Sequence, residues 1–369
     1  MLSPSSHPPH STAGAAKNPV PHTDAAASGD LCCEGAVGGC GEGEAASGAE
    51  QDETGSSCPT PLSWRGVLKQ FHADATPAIV QRDGYQLYCR SWGSGDPLYF
   101  LGGFSGTSEL FALTASLLRD EFRCVLFDEF TAEPQPQLPP RQVSVSQAVD
   151  DLFAVADHFH DDVISLYGAS LGGALGLAAM AARPDRVRRA ALQGAFAHRR
   201  FSIAERTLMS VAQFFPARVR NVPLWASGHK QNHSLWFPPI DGSRWKFLVE
   251  NCGDVPLRVI ARRAALGQQI DIRAQLSEIR QPTFIIRTEG EGRIASTCQA
   301  ELIERLPSVD DVWIDNTGQI PYLTHPHRLA KLLKPFVRGE PLPADEKVPA
   351  TAVDIAASPF ARSTETHDD

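Results

Sequence analysis

The sequence has no basic block. Its 34 lysines and arginines are outnumbered by 43 aspartates and glutamates, for a formal net charge of −9. Nucleic-acid binding needs lysine and arginine clustered against phosphates, so that class of partner is excluded. The run Arg186, Arg188, Arg189 borders an apolar strand pattern and reads as a solvated edge. A basic start followed by an apolar stretch is also lacking at the N-terminus, so no secretory signal peptide is read. Only Ser165 to Ala182 is uncharged over a membrane-spanning length, and its glycines and serines fit a buried strand, a turn and a helix better. The expectation is a cytoplasmic protein with no membrane span.

Large apolar side chains are nearly absent from residues 1–61, which are rich in Gly, Ala, Ser, Pro, Glu and His, and are sparse again in residues 339–369. Such segments cannot bury enough surface to offset ordering entropy, so a disordered head and a disordered acidic tail are expected. Roughly 270 residues (62–338) are left for one globular unit. Paired cysteine motifs are missing as well. Of eight cysteines, Cys32, Cys33, Cys40 and Cys58 lie in the head, with no CxxC spacing and no histidine at zinc-finger distance. They read as unpaired thiols, while Cys89, Cys124, Cys252 and Cys298 fall in patterned segments and read as small core residues. No cofactor fingerprint and no internal repeat is found.

What the chain does have is alternation of strand and helix patterns. Tyr85 to Trp92 alternates apolar and polar residues after Asp83-Gly84, the mark of an edge hairpin strand. Further strands are predicted at Pro97–Leu101, Phe122–Phe127, Val163–Tyr167, Val187–Leu192, Pro282–Arg287 and Asp311–Asp315. Helices are predicted at Glu109–Leu118, Val143–Phe159, Leu171–Ala182, Thr297–Leu306 and His327–Phe336. Such alternation implies a mostly parallel sheet with right-handed crossovers and helices on both faces. An irregular, aromatic-rich stretch at about 198–257 reads as a cap over the carboxyl ends of the strands, where open α/β sheets bind ligands.

Gly168-Ala169-Ser170-Leu171-Gly172 sits between the strand ending at Tyr167 and the helix starting at Leu171. A glycine on either side of a serine at a strand-to-helix turn is the pattern of a nucleophile elbow, with the helix N-terminus behind the hydroxyl. Together with Leu101-Gly102-Gly103-Phe104-Ser105-Gly106 and the terminal strand–helix units, these elements resemble the α/β-hydrolase superfamily from about Arg82 to Val337. The resemblance implies that fold, with the cap inserted after the sixth strand. It also implies Ser170 as nucleophile and the amides of Phe104 and Leu171 as the oxyanion hole.

The same resemblance marks departures. The family's histidine, ahead of the final helix, is replaced by Gln319 in Asn316-Thr317-Gly318-Gln319-Ile320-Pro321-Tyr322-Leu323. An amide cannot take the serine proton near neutral pH. The family's acid position holds Gly292 in Glu289-Gly290-Glu291-Gly292-Arg293-Ile294, and its other location, after the sixth strand, offers Gln193 and Gly194. Glu289 or Glu291 serves as acid with a shifted loop, or the stretch is a solvated acidic turn. A relocated base would be His198 or His325; His327, His229 and His233 are the remaining choices, and a surface or structural role fits each of them. Loss of histidine with Gly-Ala-Ser-Leu-Gly-Gly kept is similar to maspardin-like members, which implies a non-catalytic binding protein. Two functions therefore stand: a strongly impaired hydrolase homologue used for binding, or an active serine hydrolase of esters, thioesters or amides. The expected partner is a small apolar ester-like ligand or a protein at the cap.

Overall fold

A computed structural model of the chain describes residues 62–128, 143–237 and 243–342. The head (1–61), nearly all of the tail and the proline-rich loop at 134–140 lie outside the described residues. In chain order the regular elements are α1 (Trp64–Asp74), β1 (Thr76–Arg82), β2 (Tyr85–Trp92), β3 (Asp96–Leu101), α2 (Ala112–Leu118), β4 (Phe122–Phe127), α3 (Val145–His158) and β5 (Ile164–Ala169). They continue with α4 (Leu171–Ala182), β6 (Val187–Gln193), α5 (Ile203–Ala212), α6 (Trp225–His233), α7 (Ser243–Asp254) and α8 (Leu257–Gln269). The last are β7 (Thr283–Gly290), α9 (Gly292–Arg305), β8 (Val309–Gly318), α10 (Pro321–Thr324) and α11 (Pro326–Arg338).

One sheet holds all eight strands in the order β1-β2-β4-β3-β5-β6-β7-β8. The hairpin strands β1 and β2 are antiparallel, and β3 to β8 run parallel. Strands buried on both faces need apolar residues without alternation, and Leu98-Tyr99-Phe100-Leu101 and all of β5 meet that need. Successive residues then feed opposite layers. Tyr99 and Leu101 join the core with α3, α4 and α8, while Leu98 and Phe100 join the core with α1, α2 and α11. Helix α11 contributes Leu329, Leu332, Leu333, Phe336 and Val337, a single helical face, and ends at Gly339 in the left-handed region.

Where periodicity is strong, elements lie where the sequence puts them: β2, β4 and α4 match to the residue. Ser165–Ala182 is strand, turn and a short helix, and among the described residues no helix is long and apolar enough to cross a membrane. Besides the helices of the cap and the short α10, the sequence reading missed α1 and β1, which precede the hairpin strand. The edge of the sheet is therefore β1 and not Tyr85–Trp92. In β1 only Val80 is buried, so its residues carry no alternation to detect. Helices α5 to α8 fill the insertion between β6 and β7, so helical structure there runs on past residue 257.

Candidate active site

The turn between β5 and α4 is held by close backbone contacts. A Cβ at Gly172 would lie 2.2 Å from the Leu101 carbonyl oxygen, and one at Gly168 would lie 2.7 Å from that of Gly172. Ser170, the residue between them in the turn, has φ 53° and ψ −112°, and its N–H donates to the Gln193 carbonyl at 2.7 Å. Such a conformation costs about 1–3 kcal/mol and survives only where its surroundings impose it. The result is a serine at the floor of a cavity of about 460 Å³, which Phe104, Gln193, Glu291 and Gln319 also line.

The loop after β3 is fixed from three sides. Thr107 N donates to Asn251 Oδ1 at 2.8 Å, Arg263 Nη1 to the Gly106 carbonyl at 2.7 Å, and Ser108 N to Asp128 Oδ1 at 2.7 Å. The Phe104 ring stacks on Phe196 at 6.3 Å and meets Phe201 edge-on at 6.0 Å. This anchoring holds the Phe104 backbone at the cavity wall. Leu171 opens α4, so its N–H has no partner within the helix and points toward the same end of the sheet.

Glu291 follows β7 and is only 5% exposed, whereas Glu289 is exposed and accepts from Asn316 N at 2.9 Å. The buried carboxylate is held by amides. Gln193 Nε2 donates to Oε1 at 2.5 Å, and Gln299 Nε2 donates to Oε2. Burial raises its pKa to about 7, against the opposing pull of those hydrogen bonds. Gln319, just past β8, donates from Nε2 to the Glu291 carbonyl oxygen at 3.2 Å. Ser170, Glu291 and Gln319 thus meet at the ends of three strands, and Gln193 joins them from a fourth.

The two histidines put first from the sequence, His198 and His325, lie elsewhere. His198 Nδ1 is 3.3 Å from the Ile270 carbonyl oxygen and 3.9 Å from Asp271 Oδ2. His325 occupies the N-cap position of α11 without a side-chain capping bond, its Nδ1 lies 3.0 Å from Thr324 Oγ1, and burial lowers its pKa. Neither lines the Ser170 cavity, but His229 and His233 do. These two follow each other by one turn of α6, with ring centroids 5.2 Å apart. Burial, then the neighbouring His229, lowers His233 to about 4, and burial also lowers His229. Their i, i+4 spacing was the available signal, masked by the weak helix pattern around them.

The cap is seated by Trp236. Any Cβ at Gly290 or at Gly318 would come within 2.5 Å or 2.6 Å of its indole, so two glycines, at the ends of β7 and β8, make its bed. Cys252 and Cys298 also reach the cavity, and burial pushes the Cys252 thiol up to about 12. Cys89, Cys124 and Cys252 are buried free thiols, and Cys298 is partly buried.

Residues 96–238 match the family described as alpha/beta hydrolase fold. Over 261 residues the chain is 21% identical to the protein provisionally named carbamate hydrolase RutD of Pseudomonas syringae pv. syringae, covering 66% of this chain and 94% of that one. Over 84 residues it is 33% identical to the pimeloyl-(acyl-carrier protein) methyl ester esterase of Aromatoleum aromaticum, covering 21% of this chain and only 34% of that relative. Among solved structures, a hydrolase from Pseudomonas aeruginosa PA01 superposes with a TM-score of 0.61 at 19% identity, over 71% of this chain and 98% of the other. A thermophilic esterase from Thermogutta terrifontis, with malate bound, gives 0.61 at 19% identity, over 72% and 98%. With the strand order, the elbow at Ser170 and the cap after β6, these likenesses show that the chain has the α/β-hydrolase fold.

Proposed function

We propose that this chain is a strongly impaired hydrolase homologue of the maspardin-like kind, which uses the Ser170 cavity to hold an ester-like or acyl ligand. The observation that carries the reading is Gln319. Its amide nitrogen is spent on the Glu291 carbonyl, and no atom of the side chain has a basic lone pair for the serine proton. Ser170 is then an ordinary alcohol, with two candidate oxyanion donors but no base. Phe104, Phe196, Leu248 and Ile320 offer the ligand an apolar wall, and Ser170, Gln193 and Glu291 its polar contacts.

Purified protein and its Ser170→Ala variant are expected to hydrolyse p-nitrophenyl acetate at the same rate, and a fluorophosphonate probe is expected to leave Ser170 unlabelled. A Ser170-dependent rate well above that of the variant defeats the reading.

The alternative is an active hydrolase of esters, thioesters or amides, in keeping with the names of the relatives. It requires His198 or His325 to leave its present partners and turn toward Ser170. It could otherwise draw on His229 or His233, whose lowered basicity makes either a weak proton acceptor at neutral pH.

A further inference from the structure

Helix α5 wears its apolar side outward. A surface helix ordinarily turns its apolar stripe to the core. This one is well formed at its start, with Glu205 N donating to Ser202 Oγ at 3.1 Å and Ser202 N to Glu205 Oε2 at 2.8 Å, yet none of its residues is buried. Ile203 is 75% exposed, Leu208 62% and Val211 48%, and Phe215, just past the end of the helix, is 55% exposed. Positions 204, 208 and 211 share one stripe at helical spacing, with 203, 207 and 210 forming the stripe beside it, and exposed Phe214 and Phe215 follow just past the helix end. A shallow groove between them is lined by Ile203, Arg206, Val211 and Phe215.

The stretch of chain that carries this face has the opposite sign to the whole. Residues 199–220 carry Arg199, Arg200, Arg206, Arg218 and Arg220 against Glu205 alone, in a protein of net charge −9. Arg199 pairs with Glu205 at 3.1 Å, and Arg220 with Asp254 at 2.5 Å, while Arg200 and Arg206 stand exposed. An apolar stripe flanked by guanidinium groups suits a bilayer surface, where the stripe enters the headgroup boundary and the cations meet lipid phosphates. It suits a second copy poorly, since a two-fold contact through this face would set the same arginines against each other. We infer that α5 docks the cap on an anionic lipid surface. Phe201, just before the helix, touches the Phe104 ring that lines the Ser170 cavity, so docking would bring the membrane beside the cavity. The inference does not depend on whether Ser170 reacts.

The test is flotation of the full chain with vesicles of phosphatidylcholine alone and of phosphatidylcholine mixed with phosphatidylserine, at low and high salt. Binding is expected to be at least about tenfold tighter on the anionic vesicles and to weaken as salt rises. The double variant Leu208→Asp, Phe215→Asp should lose it, and Arg206→Glu should lose the anionic preference, with thermal midpoints unchanged because these side chains are exposed. Three outcomes overturn the inference. One is absence of binding to either vesicle, and another is equal binding that the double variant leaves intact. The third is a concentration-dependent dimer that Leu208→Asp dissociates, which assigns the face to a second copy.

Discussion

Gln319→His is expected to raise Ser170-dependent hydrolysis of p-nitrophenyl acetate by about a hundredfold or more, the scale that a positioned general base supplies. Gln319 already lines the cavity with Ser170, and its amide nitrogen donates to the Glu291 carbonyl at 3.2 Å. An imidazole there can make the same donation from Nδ1, which sets its tautomer and leaves Nε2 facing the cavity as proton acceptor. The orienting group would be a backbone carbonyl instead of a carboxylate, so the gain should fall short of a full triad. The measurement is initial rate against pH for the parent chain, Gln319→His, and Gln319→His combined with Ser170→Ala. The gain should appear as the imidazole loses its proton and vanish in the double variant. A change of less than a few-fold would mean that the oxyanion loop or the cavity, and not only the base, is unfit for catalysis.

Glu291→Gln is expected to stabilise the protein at alkaline pH and to flatten its stability profile. The Glu291 carboxyl titrates at about 7 in the folded chain, against 4.5 for an unburied group. The folded state therefore holds the proton more tightly. The stability this contributes is fully present below about pH 4.5 and is lost as pH rises through about 7. Each pH unit between the two values is worth roughly 1.4 kcal/mol, so the loss is on the order of 3 kcal/mol by pH 8. A glutamine at 291 never ionises. Its new amide would face the Gln299 amide nitrogen, but Gln299 Oε1 has no hydrogen-bond partner, so a flip of that side chain restores the contact. Thermal midpoints followed from pH 5 to pH 8.5 should fall for the parent chain and stay nearly level for the variant, with the two curves separating between about pH 5 and 7 and holding a constant gap above that. Parallel curves would show that Glu291 is ionised throughout the range.

The strongly patterned elements were legible because their causes are local. A continuous apolar run is enough for β3 or β5, and glycine at 168 and 172 is demanded by backbone atoms a few residues away and by the Leu101 carbonyl. Residues 289–292 illustrate the limit. In sequence Glu289 and Glu291 are alike, two acids among glycines. In the fold Glu289 faces solvent, while Glu291 turns under the sheet ends between Gln193 and Gln299. His229 and His233 show the same limit, since a weak helical pattern gave no sign that α6 turns both rings into the cavity.

By itself the amino-acid sequence determined the strand–helix order and the sharp strand-to-helix turn at Ser170, because each is a matter of residue type at short range. The tertiary structure alone decided which acid is buried, which imidazoles share the serine's cavity, where Trp236 seats the cap, and that α5 shows its apolar face outward. Those depend on β6, β7, β8 and the cap arriving at one place, and burial, which sets the basicity of Glu291 and His233 alike, exists only once they have met.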